Sequence, residues 1–223
     1  MTGTPSIFGP QQFPDYLGLH RWQFDRAVQA GVIPPPDRAR GRWSRAAVDA
    51  VRARLEDVRA AVGEVPDVGA ERAAAYLAER LRVAVSPDAV AELARQGRVR
   101  TVDTYRGHPV YDGRDLERIE DLAVVVEAGR VGQQLARGEV AERLGVREVD
   151  VRHLERAGYL VPVRYVLSRW QRRREAPSVP LYRLGDVLAL QERDDIGWEA
   201  VRAAVAPGAR SPFAALPDGP TPA

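Results

Sequence analysis

The sequence predicts a mainly α chain with short β hairpins, built as three small copies of one module in tandem. Three observations predict it. First, Gly31, Gly97 and Gly158 each close the same apolar pattern: Phe24, Val90 or Val151 stands seven residues before, and Ala27, Leu93 or Leu154 four before. Leu19, Val85 or Val146 lies twelve before, and Ile33, Val99 or Leu160 two after. Second, that spacing describes one buried stripe of a helix ended by a left-handed glycine. Third, a period of roughly sixty residues is too long for a solenoid repeat and suits a small domain.

Each module can be read element by element. Before the first and third of these helices stands a tight turn, Leu17-Gly18-Leu19 and Leu144-Gly145-Val146, and Val140, Ala141 and Leu144 form a short apolar helix leading into the latter. Helix, glycine turn and helix make a helix-turn-helix, because the sharp turn needs positive φ. The second copy has Ala84 at that offset, and its turn reads one or two residues longer. After each closing glycine comes a short apolar run, an arginine-bearing loop and an aromatic residue, Trp43, Tyr111 or Tyr182, expected in the core. Two short strands around a basic loop make a wing. Hence the expected fold is three tandem winged helix-turn-helix domains joined by helices.

The connectors follow the wings. Ser44 caps a predicted helix Arg45–Val62, whose Val48, Val51, Leu55, Val58 and Val62 form a narrow apolar seam. The seam serves either as a spacer on its own module or for self-association through 45–62. A second connector, Asp115–Ala128, is apolar over Leu122–Val126 and expected buried between modules; Gly63–Val68 and Gly129–Gly132 read as boundaries. The expected domains are 12–63 and 68–129, each with its connector helix, then 132–193. Residues 194–223 follow, with a short amphipathic stretch Gly197–Val205 and a Pro/Gly/Ala-rich end, Pro207–Ala223, of disordered composition.

The stretch Glu139–Pro162, Glu-Val-Ala-Glu-Arg-Leu-Gly-Val-Arg-Glu-Val-Asp-Val-Arg-His-Leu-Glu-Arg-Ala-Gly-Tyr-Leu-Val-Pro, resembles the winged helix-turn-helix of the MerR-like and excisionase-like DNA-binding families. Residues 12–34 with 42–51, and residues 72–119, resemble it more loosely, so the likeness covers most of 12–193. It implies that the second helix enters the major groove and the wing holds phosphates or the minor groove. The chain departs from the MerR pattern after the third copy, where about thirty residues stand in place of a long dimerisation helix and a cysteine-bearing effector domain. Metal, drug or redox sensing is therefore not implied.

Composition narrows the chemistry. The chain has no Cys and no Lys; all 33 basic residues are Arg, as a GC-rich genome would favour, and the net charge is only +2. Disulfides, thiol chemistry, a Walker A lysine and a Schiff base are thereby excluded. Neither G-x-S-x-G nor H-E-x-x-H occurs, and His20, His108 and His153 fall one per module. No enzyme, cofactor or metal is expected. No apolar run reaches membrane-spanning length and Met1–Pro14 lacks the order of a signal peptide, so the expected location is the cytoplasm, at the nucleoid.

The three copies differ in their suitability for DNA. In copy one the second helix offers Arg21, Gln23 and Arg26 as base readers, and the wing offers Arg38, Arg40 and Arg42 to phosphates. In copy three Arg147, Arg152 and His153 are the candidate readers, with Arg169, Arg172, Arg173 and Arg174 at the wing tip. Trp22 reads equally as core or as groove-facing. Copy two presents Asp88 and Glu92 against Arg95, and its wing is mildly basic, with Arg106 and His108. Carboxylates repel phosphates, so copies one and three are the expected main readers, and copy two binds weakly or acts as a spacer.

The expected function is sequence-specific binding of double-stranded DNA, used in transcriptional regulation. An architectural, excisionase-like or partition role is the alternative, and a protein-interaction module built from winged helices is the alternative of another class.

Overall fold

The computed structural model describes residues 6–167, 178–204 and 210–219. It is mainly α, with small antiparallel sheets. The first repeat runs β1 (Ile7–Phe8), α1 (Gln12–Leu17), α2 (Arg21–Gln29) and β2 (Trp43–Ser44), followed by α3 (Arg45–Arg52) and α4 (Leu55–Val62). The second runs β3 (Val68–Gly69), α5 (Ala70–Leu81), α6 (Pro87–Arg95), β4 (Thr101–Tyr105) and β5 (His108–Tyr111), then α7 (Gly113–Glu117) and α8 (Leu122–Gly132). The third runs β6 (Gln134–Ala136), α9 (Arg137–Leu144), α10 (Glu148–Arg156), β7 (Arg164–Leu167) and β8 (Ser178–Arg183), then α11 (Leu184–Gln191) and α12 (Trp198–Ala203). The second and third repeats share one element order; in the first, the hairpin is reduced to β2 and an isolated bridge between Arg38 and Arg42, and in all three a helix pair follows.

The glycine pattern has the physical meaning expected of it. Gly31, Gly97 and Gly158 sit at φ 70°, 72° and 75°, where a side chain would be strained. The residues seven and four before them are buried in every repeat. The turn before the second helix is left-handed at Gly18 and Gly145 and, in the second repeat, at Arg82 rather than near Ala84. Trp43, Tyr111 and Tyr182 are all core residues, and each pairs with a short leading strand: Phe8↔Trp43, Val68↔Tyr111 and Leu135↔Tyr182. Those leading strands, two or three residues long, are too short to show in the sequence pattern. They make the second hairpin strand central, in the orders β3-β5-β4 and β6-β8-β7.

The described residues group into two compact units, Met1–Ala84 with Ala94–Asp121, and Val85–Leu93 with Leu122–Ala223. This division runs through the second repeat, so it differs from the three spans expected above. In the first unit, Phe13, Phe24 and Trp43 meet edge to face at 5.3–5.5 Å, and Val48, Val51, Val58 and Val62 complete the same core. The predicted single helix 45–62 breaks at Ala53–Arg54, where Arg54 takes φ −122°, ψ 33°. A straight helix of that length spans about 27 Å and would carry its far end past so small a core. The bend returns it, and Val48, Val51, Val58 and Val62 of the seam are buried in the core of their own unit.

In the second unit the core joins Val140, Val151, Leu154, Tyr182, Val187 and Leu190 to Trp198, Val201 and Phe213. The tail departs from expectation here. Ser211 caps a 3-10 turn, Pro212–Ala215, that seats Phe213 edge-on to Trp198 at 5.9 Å. Arg156 then holds Leu216 C=O at 3.1 Å and Asp218 at 3.3 Å. Residues 210–219 are thus ordered against α10, because one aromatic outweighs the surrounding Pro/Gly/Ala composition.

The second connector is also two helices, α7 and α8, rather than one. Leu122 and Val126, expected buried, are 45% and 53% exposed; only Val125 and Ala128 of that helix's apolar run are buried. Gly129 and Gly132 stand at the end of the second repeat, just before β6. They lie within α8, where a Cβ on Gly132 would come within 2.7 Å of Asp88 C=O and 2.9 Å of the Glu92 Cβ. The glycines let α8 cross α6 at close range. Among the described residues no helix is long and apolar enough to cross a membrane.

Candidate nucleic-acid interface

The candidate base readers of α2 divide into two sets. Gln23 is buried: its Oε1 caps the His20 N–H at 3.0 Å and its Nε2 donates to Gly63 C=O at 3.0 Å. Arg26 donates to the carbonyls of Val62 and Val65 and pairs with Asp67 at 2.6 Å, with only 10% of its side chain exposed. Its guanidinium also lies 4.8 Å from the Trp22 ring, which is half-buried and parallel to His20. Both residues bind the linker after α4 and are withdrawn as base readers. The reason is physical: a buried guanidinium with three internal oxygens cannot also reach a base without abandoning them. Arg21 remains exposed on a stripe with Asp25 and Gln29, and pairs with Asp25 at 2.9 Å.

In α10, Arg147 is committed to its own helix start. Its N–H and Nε donate to Asp150 at 2.9 and 3.1 Å, and Asp150 is fully buried. Burial works to raise the Asp150 carboxyl, but hydrogen bonds from Arg147 and the Ser211 hydroxyl outweigh it and hold it below the usual range. Arg147 is therefore a capping residue. Arg152 is exposed and His153 half-exposed, and neither has an internal partner among the described residues. Those two remain the candidate readers of the third repeat.

The second helix of the second repeat is the clearest departure. Asp88 and Glu92, expected to face solvent, are turned onto elements of the second unit. Arg183 grips Glu92 with two hydrogen bonds, 2.6 and 3.0 Å, and Glu92 is 2% exposed. Gln134 Nε2 donates to Asp88 at 2.6 Å. Helix α6 is thus a strut held by α8, β6 and the start of α11. No local signal could have shown this, since Glu92 and Arg183 lie 91 residues apart.

The hairpins behave differently. Arg38, Arg40 and Arg42 of the first, and Arg106 and His108 of the second, are exposed. Arg40 and Arg106 sit at φ 60° and 51°, each followed by a left-handed glycine, Gly41 and Gly107, at its hairpin tip. Arg164 on β7 is exposed as well, an arginine that the sequence pattern does not single out. Arg169, Arg172, Arg173 and Arg174 lie outside the described residues. By contrast the helical arginines are largely paired: Arg45 with Asp49, Arg130 with Glu127 and Arg137 with Glu155, for example. Among the described residues no group of three or more His, Asp or Glu side chains is placed to hold a metal. Set against protein-family models, curated proteins and solved structures, the chain matches none of them.

Proposed function

We propose that the chain is a non-catalytic, double-stranded-DNA-binding protein of three winged helix-turn-helix repeats, similar to the MerR-like and excisionase-like families, and that it regulates transcription. One observation carries the reading. Among the described residues, the hairpin-tip arginines stand exposed without a carboxylate partner, whereas those of the helices are largely neutralised by Asp or Glu. An unneutralised guanidinium at a loop tip is available for charge-assisted hydrogen bonds to phosphate. Arg21 on α2, and Arg152 with His153 on α10, would then approach base edges.

Replacing Arg38, Arg40 and Arg42 together with alanine tests this by fluorescence anisotropy with duplex DNA. The log–log salt slope should flatten by about 0.9 for each phosphate no longer neutralised, with affinity falling alike on all sequences. An unchanged slope would remove this hairpin from the interface.

A second reading has its own observation: Val161, Tyr165 and Leu167, on and beside the edge strand β7, are 63%, 58% and 75% exposed. An apolar surface of that kind suits a protein partner. Salt separates the two, since an apolar contact strengthens or holds where phosphate contacts weaken steeply.

A further inference from the structure

We propose that the second repeat has divided the two DNA-contacting parts of a winged helix. Its helix α6 is a structural strut, while its hairpin alone engages duplex DNA, inserting the Tyr105 ring into the minor groove beside the Arg106 guanidinium. The proposal rests on the DNA-binding reading above and deepens it.

Four observations carry it. The acidic face of helix α6 is engaged within the protein: Glu92 is buried in the Arg183 pair, and Asp88 is bound by Gln134. The hairpin is wholly available, for every residue from Thr101 to His108 is exposed. Tyr105 is 64% exposed at the last position of β4, opposite His108, and Arg106 lies over its ring at 5.2 Å. The two-residue turn between them, Arg106-Gly107, has positive φ at both positions, 51° and 80°. That is a type I′ turn, in which Asn-Gly or Gly-Gly would be relaxed and an arginine is not.

Strain of this kind at a loop apex marks a side chain held there for use. An aromatic ring and a guanidinium stacked at the tip of a narrow hairpin fit the minor groove: the cation suits its negative potential, and the ring can wedge into a base step. Flexible pyrimidine–purine steps unstack most readily. The hairpin would therefore read deformability rather than base edges, which agrees with the engagement of Asp88 and Glu92 of α6 by Gln134 and Arg183.

The test uses the full-length protein and a duplex of about 30 bp selected by it from a random pool, with 2-aminopurine placed singly along the strand. The expected result is a fluorescence rise at one step, lost in Tyr105→Ala and kept in Tyr105→Phe, with affinity lowered about tenfold by the alanine. Arg106→Asn relaxes the turn, so its melting temperature should hold or rise while its affinity and salt slope fall. A side chain with only a structural role would move both in one direction. Ala91→Glu, an exposed change on α6, should leave binding intact.

Wild-type behaviour of Tyr105→Ala on the selected duplex overturns the proposal. So does a loss in Ala91→Glu as large as that of Tyr105→Ala, because α6 would then lie against DNA. If the wild-type chain selects no duplex at all, the DNA-binding reading itself fails, a result distinct from either of these.

Discussion

At the scale of single residues, the chain uses arginine for two incompatible purposes, and burial decides which. Arg183 is mostly buried between Glu92 and Asp186, so its charge is compensated inside the protein. Glu92→Gln keeps the shape and removes one charge. It should destabilise the fold by about 3 kcal/mol, the lower end for a broken buried pair, because Asp186 still faces the guanidinium. Chemical denaturation followed by tryptophan fluorescence would read this; a change below about 0.5 kcal/mol, the level of an exposed pair, would show that the pair is solvated. Gln23 and Arg26 show the limit of reading residue type. Both have the right chemistry for adenine and guanine, yet tertiary contacts direct them to carbonyls of the linker.

At the scale of elements, the second hairpin is locked at its base and exposed at its tip. In the second repeat, Arg100 holds Asp112 at 2.6 Å and Asp115 at 2.7 Å, and Asp112 caps α7. Helix crossings are equally local. Because Gly132 lies against Asp88 C=O, Gly132→Ala forces α8 away from α6 despite the better helix propensity of alanine. It should lower the melting temperature, and calorimetry of the variant beside Gly129→Ala, whose Cβ would meet only Ala89 at an ordinary 3.7 Å, separates the clash from propensity. Equal stability of both would disprove the close crossing. The amphipathic periods of α2, α6 and α10 were legible in the sequence. The breaks in 45–62 and 115–128 were not, since neither contains a proline or a helix-breaking glycine at the bend; core size sets them.

At the scale of the whole molecule, each of the two compact units contains carboxylates depressed by the fold. Burial opposes ionisation of Asp112 and Asp115, but Arg114 for the former and Arg100 for the latter outweigh it. Asp150 behaves likewise in the second unit. For an acid with a folded pKa below its unfolded value, the stabilisation is present above the unfolded value and is lost as pH falls through the folded one. Stability should therefore be flat from neutral pH down to about pH 5 and fall below about pH 4. Thermal melts across that range should show it, and Asp112→Asn with Asp150→Asn should lose stability at neutral pH while flattening the acid limb. An acid limb unchanged in the double variant would assign it to other groups.

Local chain chemistry alone set the threefold repeat, the left-handed glycines, the buried helical stripes and the three core aromatics. All are short-range: a φ value or a 3.6-residue period is decided within a turn or two of the chain. Long-range packing set which helix faces are free, where the connectors bend, that the tail anchors through Phe213, and that the second repeat is shared between two units. These depend on partners far along the chain, such as Glu92 with Arg183 or Asp150 with Ser211. Such pairs form only when the closed fold brings them together and excludes water from between them, and nothing in the local pattern of residues encodes that meeting.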